Sequence, residues 1–483
     1  MLHKPSIILI AQHYWKKTFQ EKTIYILLTV FCLLLLFSAY TGWMQYTTQN
    51  QIRIDHQEMA RESWEANPDK HPHRMAHFGT FAFRLKHPLS LFDFGLENYM
   101  GNAVFLEAHA QNSINFSEAS LSSDLIRFGE LSLAMILQLV LPLIIFFLGY
   151  RSVVEEREKG TLLIAHVQGV GYTNFLLGKS LGLWWMSLLF FLPAFLMLSF
   201  LLLMIDNSFT QENSWSLGML FLAYLLYCGL ACLVAVLISA RSSSSKQALV
   251  RLVGIWILMV VILPKSAQAL GRYLHPAPNT FEFNAQVQED IDRIGNSHRP
   301  DDPFFSRLRD SVLQVHQVNN ITELPFNYGG FVMQVGEKLS SRIYNKHHHA
   351  LLDIYRKQNS ISLGVALFDP YAALKHLSMT LAKTDFESYI SFQQQAEDYR
   401  YQLAQTMNGL QMKYISSSRP SGSEGQVHVV SRDHWKAFPD FNYQFPSQRA
   451  SLQHSYPLWL ALGAWSILLL GGVFYYGRKP LNH

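Results

Sequence analysis

Six long apolar stretches constrain this chain more than any other feature of its sequence. A helix needs about 20 residues to cross a membrane hydrocarbon core of about 30 Å. Charged residues make up only 15% of the 483 residues, compared with about 25% in an ordinary soluble domain. The sequence therefore predicts an α-helical integral membrane protein. Its six transmembrane helices, numbered as spans 1 to 6, are expected at 24–43, 131–150, 182–205, 216–240, 249–270 and 457–476.

Lys and Arg residues near the span ends predict the orientation. They cluster before span 1, between spans 2 and 3, between spans 4 and 5 and after span 6, whereas the short loop after span 3 has none. Cytoplasmic flanks carry the excess of positive charge. Both termini (1–23 and 477–483) and the loop 151–181 are therefore expected in the cytoplasm. Residues 1–23 suit an interfacial amphipathic helix, or else an extension of span 1.

Two long segments, 44–130 and 271–456, are left on the opposite side. Both contain stretches with helical apolar spacing. We therefore expect a mainly α-helical extracytoplasmic domain formed from these two insertions. The net charge of +4 is small and gives no reason to expect nucleic acid as a partner. The predicted helices lie at 52–66, 331–358 and 386–410.

The loop between spans 2 and 3 contains Gly-Lys-Ser (178–180), the last three residues of a phosphate-binding P-loop. The full motif is G-x-x-x-x-G-K-[ST], and its first glycine lets backbone N–H groups surround the phosphates. Here Thr173 stands at that position, and the nearest glycine, Gly171, is two positions away. The stretch also leads directly into a span. We therefore expect no nucleotide site and no ATPase domain on this chain.

The same loop begins with a dense charged run, EEREKGTL (155–162). Span 2 ends at Tyr150, so the run is expected to form about two exposed helical turns that Gly160 ends. A short charged helix at a membrane surface suits docking of a cytoplasmic partner, with salt bridges that set register more than affinity. A solvated loop that only fixes orientation accounts for the charges equally well.

Several motifs together resemble the permease subunits of ABC-2-type transporters. They are EEREKGTL after a span, QGV (168–170), GKSLG (178–182) and the stretch from ARSSSSKQAL to LP (240–264). The resemblance implies a permease that pairs with a second permease, as a homodimer or heterodimer. It also implies two copies of a separate ATPase subunit, which bind ATP and Mg²⁺. By resemblance, the ATPase docks on Glu155, Glu156, Arg157, Glu158, Gly160 and Thr161.

The long segments narrow the resemblance to a branch of these permeases with large extracytoplasmic domains, related to the copper-enzyme-maturation and gliding-motility permeases. This branch implies a bacterial inner membrane, with both long segments in the periplasm. The matching stretches are HPHRMAHFGTFAF (71–83), LFDFGLENYMGNAVFLEAHAQN (91–112), NYGGFVMQVGE (327–337) and TDFESYISFQQQAEDYR (384–400).

A metal site is a further hypothesis for the first long segment. On a helix, His73 and His77 share a face, which is the spacing that lets two imidazoles reach one ion. Glu107 and His109 could complete a set suited to zinc or copper. The proline and glycine that flank 73–77 count against a regular helix there. A hydrogen-bonded framework of histidines and carboxylates accounts for the same residues.

Other catalytic signatures find no support in the sequence. No HExxH motif of a zinc peptidase occurs. The adjacent histidines at 347–349 lie in a helical pattern, where neighbours point apart, so we expect them at the surface. The three cysteines all lie in apolar runs and give no information about redox compartment.

Three functions therefore stay open. The first is an ABC-2-type permease that exports an unidentified substrate, or moves extracytoplasmic parts, with energy from a separate ATPase. The second is a non-transporting mechanical device that acts on a periplasmic or outer-membrane partner. The third is a membrane-anchored metal-binding protein or metallochaperone.

Overall fold

The computed structural model describes residues 4–109, 111, 131–206, 208–416 and 429–478. Among these residues, six helices are long and apolar enough to cross a membrane. This confirms the prediction of an α-helical integral membrane protein with six spanning helices. Parts of both long segments and the last five residues of the C-terminal tail lie outside the described residues.

The described elements are nearly all helices. Spans 1 to 6 correspond to α2, α4–α6, α8, α9, α10–α11 and α18. In chain order the elements are α1 (Lys4–Phe19), α2 (Lys22–Glu65), α3 (Pro72–Phe78), β1 (Thr80–Phe83), β2 (Ala103–Leu106), α4 (Leu133–Met135), α5 (Leu141–Gly149), α6 (Val154–Glu158), α7 (Thr161–Val167), α8 (Tyr172–Leu203), α9 (Gln211–Arg241), α10 (Ser245–Ile257), α11 (Leu263–Leu274), α12 (Thr280–Ile294), α13 (Pro303–His316), α14 (Tyr328–Val365), α15 (Pro370–Ala382), α16 (Phe386–Tyr414), α17 (Asp433–Lys436) and α18 (Gln448–Gly477).

Spans 2 and 5 each contain a π-helical turn just before a Leu-Pro pair. The turns are Ile136–Val140 and Leu258–Ile262. Proline lacks an N–H and its ring clashes with the preceding turn, and a locally wider turn accommodates it. In span 2 the turn contains Gln138, whose Nε2 donates to the Tyr224 hydroxyl in span 4 at 2.6 Å.

The N-terminal helix α1 is separate from span 1 and packs along α8. A turn at residues 20–21 ends it, so it is not an extension of span 1. A Cβ on Gly178 would lie 2.7 Å from the Cβ of Ile10, and one on Gly182 would lie 2.9 Å from the Ala11 carbonyl oxygen. Small residues at this spacing let two helices approach closely. The glycines of GKSLG therefore serve helix packing.

Residues of the two long segments form a domain at one end of the bundle, here called the globular domain. Span 1 runs into it, because α2 has 44 residues, a length of about 66 Å. Beyond the apolar part, Arg53 donates to the Arg84 carbonyl at 2.9 Å, and Trp64 donates to the Trp435 carbonyl at 2.9 Å. The helices predicted at 331–358 and 386–410 lie within α14 and α16.

Strands β1 and β2 form an antiparallel pair that the sequence analysis did not predict. Thr80 pairs with Leu106, and Phe83 pairs with Ala103. In an antiparallel pair the start of one strand lies beside the end of the other. The residues just before β1 and just after β2 therefore meet.

The second long segment also returns to the bundle. Helix α15 is buried against α9 and α18. The Leu367 carbonyl just before it accepts a hydrogen bond from Trp465 Nε1 at 3.0 Å, and Trp465 lies near the middle of span 6. Phe368 beside it is 73% exposed. With 13 residues, α15 is too short to be recognised as a span, so the prediction treated 271–456 as one outer segment.

Candidate functional site

The charged run lies at the end of the bundle opposite the globular domain, here called the short-loop end. Its helix, α6, has only five residues, which is little more than one turn rather than the two expected. Gly160 ends it with a φ of 74°. That left-handed conformation favours glycine, so the chain turns there into α7.

The carboxylates of the run are bound within the chain. Glu156 Oε1 lies 2.8 Å from Lys179 Nζ, and the Lys179 side chain is only 3% exposed. Lys17 of α1 lies 3.5 Å from Glu155 and 3.7 Å from Glu156. The Thr161 hydroxyl donates to the Glu156 carbonyl at 3.1 Å. The run is therefore more enclosed than the predicted exposed turns.

Helix α6 also contacts the ends of spans 4 and 5. Arg157 donates to the Ala240 carbonyl at 2.6 Å and to the Ser242 carbonyl at 3.0 Å, where span 4 ends. A cation at this position complements a helix C-terminus. Glu158 accepts from the backbone N–H of Ser245 at 3.0 Å, where span 5 begins. Through these bonds and the Lys179 pair, α6 is linked to spans 3, 4 and 5.

The next helix, α7, presents apolar side chains to the surface. Leu163, Ile164 and Val167 are exposed, and Val167 reaches 79%. Leu162 on the same helix is buried and anchors it. The predicted docking residues end at Thr161 and leave this patch out, although the apolar run TLLIAHV (161–167) is visible in the sequence.

The predicted histidines lie at the strand ends of the globular domain. Helix α3 carries His73 and His77; Pro72 stands in its first turn and Gly79 is its C-cap. The proline and glycine that seemed to disfavour a helix thus mark its two ends. A Cβ on Gly79 would lie 2.7 Å from the Leu106 carbonyl oxygen, and its φ is 66°. Only glycine fits this turn into β1, which brings α3 beside the end of β2.

Three of the four predicted residues come together. One ligand atom each of His73, His77 and His109 lies within 4.8 Å of the others. The ring centroids of His73 and His77 are 4.7 Å apart. Glu107 lies outside this group, and its backbone carbonyl accepts from Arg400 at 3.2 Å. These three residues are called the histidine cluster below.

Glu337 and Arg400, which were not predicted as site residues, lie next to the histidine cluster. Glu337 of α14 is fully buried, and its Oε2 lies 3.0 Å from His109 Nδ1. Arg400 of α16 lies 2.7 Å from Glu337 Oε1. Burial raises the pKa of Glu337, but the hydrogen bond from His109 and the charge of Arg400 outweigh this and hold the pKa at about 2. Glu337 is therefore an anion at neutral pH.

A fourth histidine lies beside the cluster. The ring of His298 is 5.0 Å from that of His109, centroid to centroid. The loop that carries it passes over Gly336, where a Cβ would lie 2.6 Å from the Cβ of Ser297. Burial and the neighbouring imidazoles lower the pKa of His73 to about 4, so His73 is neutral at pH 7.

The histidines at 347–349 lie elsewhere, on α14. His347 Nε2 is 2.9 Å from Asp290, and the ring of His348 stacks on Tyr344. His349 is exposed, whereas His347 and His348 are half-buried. His348 and Tyr344 line a cavity of about 830 Å³ between α12, α14 and α16.

Two parts of the chain match known family models. Residues 96–268 match the family described as ABC-2 family transporter protein. The match supports an ABC-2-type transporter permease. It covers spans 2 to 5, including α6 and α7, and the family implies an ABC ATPase as partner of a non-catalytic membrane subunit. Residues 280–444 match a second family model, described as Domain of unknown function (DUF3526). No curated protein matches the chain.

Proposed function

We propose that this chain is the permease subunit of an ABC-2-type transporter, in which ATP hydrolysis by a separate ATPase drives export of a substrate or movement of the globular domain. The family match over residues 96–268 supports this proposal. The short-loop end and both termini lie in the cytoplasm, in agreement with the distribution of Lys and Arg. The globular domain lies outside, in the periplasm of a bacterial inner membrane.

The observation that carries the proposal is the exposed apolar face of α7 beside the bonded helix α6. The ATPase docks on α6 and α7, with Leu163, Ile164 and Val167 at the centre of the contact. A central apolar patch with a charged rim is typical of protein interfaces. Because α6 is bonded to spans 3, 4 and 5, a displacement of the ATPase reaches three spans directly.

The link between the spans and the globular domain supports movement of that domain. Span 1 continues as one helix into it, and Arg61 of this helix donates to the Phe438 carbonyl at 2.7 Å. Helix α15 returns from the domain to spans 4 and 6. A shift of the spans is therefore transmitted through two connections. This arrangement also favours the second candidate function, a mechanical device that acts on a periplasmic or outer-membrane partner.

A second permease completes the transporter, and we place it against span 5. Only 11% of the residues in the most apolar stretch of span 5 are buried within the chain, compared with 61% in span 2. Val250, Val253 and Ile257 form an exposed face on this span. Their spacing puts them on one side of the helix, which suits a partner helix.

Co-purification with an ABC ATPase subunit from the same organism tests the proposal. The wild type should retain the ATPase in detergent, at two copies for two permeases. Changing Leu163→Asp and Val167→Asp should abolish retention without loss of folding, because both side chains are exposed. A matched control is Val315→Asp on α13, an equally exposed valine at 73% in the globular domain. Retention by the double variant at the wild-type level would contradict docking on α7.

A further inference from the structure

We propose that His73, His77 and His109 bind one divalent transition-metal ion of the Zn²⁺ or Cu²⁺ class, with His298 beside the open coordination position. The inference stands on the globular domain alone and does not rest on the proposed transport function. It also changes the set expected from the sequence, because Glu107 lies outside the group and His298 lies beside it.

The spacing of the histidine cluster fits one ion. Zn–N bonds of about 2.0–2.1 Å place two ligand nitrogens of a tetrahedral site about 3.3 Å apart. The ligand nitrogens of the cluster lie within 4.8 Å of one another. A bound ion would draw these nitrogens closer together. Two of the histidines are on one turn of α3, and the third lies in the turn three residues after the end of β2.

Unsatisfied nitrogen atoms separate a metal site from a hydrogen-bonded framework. His73 Nδ1 and His109 Nε2 are buried and have no hydrogen-bond partner among the described residues. Leaving a buried polar atom unpaired is unfavourable. A metal ion bound by both histidines would give these atoms a partner.

Glu337 orients the His109 ring as a metal ligand. Glu337 Oε2 lies 3.0 Å from His109 Nδ1, and the other ring nitrogen, Nε2, is buried without a hydrogen-bond partner among the described residues. A carboxylate on the far nitrogen of a ligand histidine fixes the tautomer and raises the basicity of the ring. Arg400 holds Glu337 in turn, and its Nη2 also donates to Ser341 at 2.9 Å. Arg400 thus acts through Glu337, as a positioning residue.

The ligand chemistry selects the class of ion. Three imidazoles suit Zn²⁺ and Cu²⁺, whereas Ca²⁺ and Mg²⁺ require oxygen ligands. The cluster belongs to the first long segment of the chain, while His298, Glu337 and Arg400 belong to the second. The ligands therefore all lie in the first segment, but Glu337 of the second segment holds His109. Metal binding is expected to stabilise this contact and with it the globular domain.

Metal titration of the full chain tests the proposal. The protein is purified in detergent through a tag without histidines, stripped with a chelator, and titrated with Zn²⁺ and with Cu²⁺ separately by calorimetry. We expect one equivalent of at least one ion and a higher Tm in its presence. Changing His73→Ala and His77→Ala should abolish both effects. The control variant, His56→Ala with His349→Ala, removes two exposed histidines from the same domain and should bind as the wild type does.

Two further variants keep the test decisive if the double variant fails to fold. His77 is exposed, so His77→Ala should leave folding intact and weaken binding by at least about 10-fold. Glu337→Gln retains the shape but removes the charge behind His109, and should weaken binding by about 10- to 100-fold without changing the stoichiometry. Absence of a binding event with both ions, or equal affinity in wild type and His77→Ala, would overturn the proposal.

Discussion

Glu156 and Lys179 form an enclosed ion pair, with 2.8 Å between Oε1 and Nζ, that joins the charged run to the start of span 3. The Lys179 ammonium also lies over the rings of Tyr14 and Phe175. This single pair connects α6, α8 and α1 at the short-loop end. Lys179 of the Gly-Lys-Ser sequence therefore has a structural role, although that sequence looks like the end of a P-loop.

Reversing one charge of this pair should destabilise the protein. Glu156→Lys leaves Lys179 buried without its partner, and breaking such a pair costs on the order of 3 kcal/mol. We expect a lower Tm for the purified chain, measured by tryptophan fluorescence. The exchange Glu156→Lys with Lys179→Glu should recover part of the loss. No recovery in the double variant would show that the pair is not the source of the stability.

The internal partners of the run explain why the sequence alone predicted it only in part. The helix break at Gly160 follows from one residue and was predicted. The pairing with Lys17 and Lys179 depends on how α1 and α8 pack, which no local pattern encodes. Charge reversal of Glu155, Glu156 and Glu158 would therefore disturb folding as well as docking. The exposed side chains of α7 are cleaner positions for a docking test.

The histidine cluster, like the charged run, could be predicted from the sequence only in part. His73 and His77 are four residues apart on one short helix, so their common face could be predicted. His109 was predicted because it lies within the matching stretch 91–112. Glu337 is 228 positions away from His109, and its approach depends on α14 packing beside the hairpin. Sequence spacing carries no signal for such a contact, and the same holds for His298.

Acid should weaken the globular domain through Glu97. This carboxylate is buried 2.7 Å from Arg84 and 3.6 Å from Lys86. Burial raises its pKa, but the charges of Lys86, Arg84 and Arg53 outweigh this and hold the pKa below its usual 4.5. A depressed pKa contributes stability that is present above pH 4.5 and is lost as the pH falls through the folded-state value.

We therefore expect the Tm of the full chain, measured by thermal unfolding in detergent, to fall as the pH drops below 4.5, because Glu97 becomes protonated. Glu97→Gln should have a lower Tm at pH 7 and a flatter pH dependence. Glu289→Gln, an exposed carboxylate on α12, is the control and should leave the profile unchanged. Equal slopes in wild type and Glu97→Gln would contradict this role.

Labelling should detect the return of the second long segment into the membrane. Phe368 and Val315 have the same exposure, 73%, in the isolated chain. In membranes, Phe368→Cys should resist a water-soluble maleimide, because lipid covers the turn at residues 367–369 just before α15. Val315→Cys should react. The three native cysteines are first replaced by alanine. Equal labelling of the two positions would show that position 368 is in water and would contradict this prediction.

Cysteine cross-linking tests the proposed second permease at span 5. If two copies of this chain pair through that span, Val253→Cys should form a disulfide-linked dimer in oxidised membranes. Leu196→Cys on span 3 is 70% exposed and should remain monomeric as the control. If the partner is a different permease, Val253→Cys should form a disulfide only with a copy of that permease that carries an introduced cysteine opposite it, and no homodimer. Cross-linking at position 196 and not at position 253 would contradict the placement.

Photocross-linking at the short-loop end tests the central claim most directly. A photoreactive amino acid replaces Ile164 on α7, and in the control it replaces Val315 on α13. We expect a covalent adduct between position 164 and the ATPase subunit, and none from position 315. An adduct from neither position, when the ATPase is present in the same membranes, would contradict docking on α7.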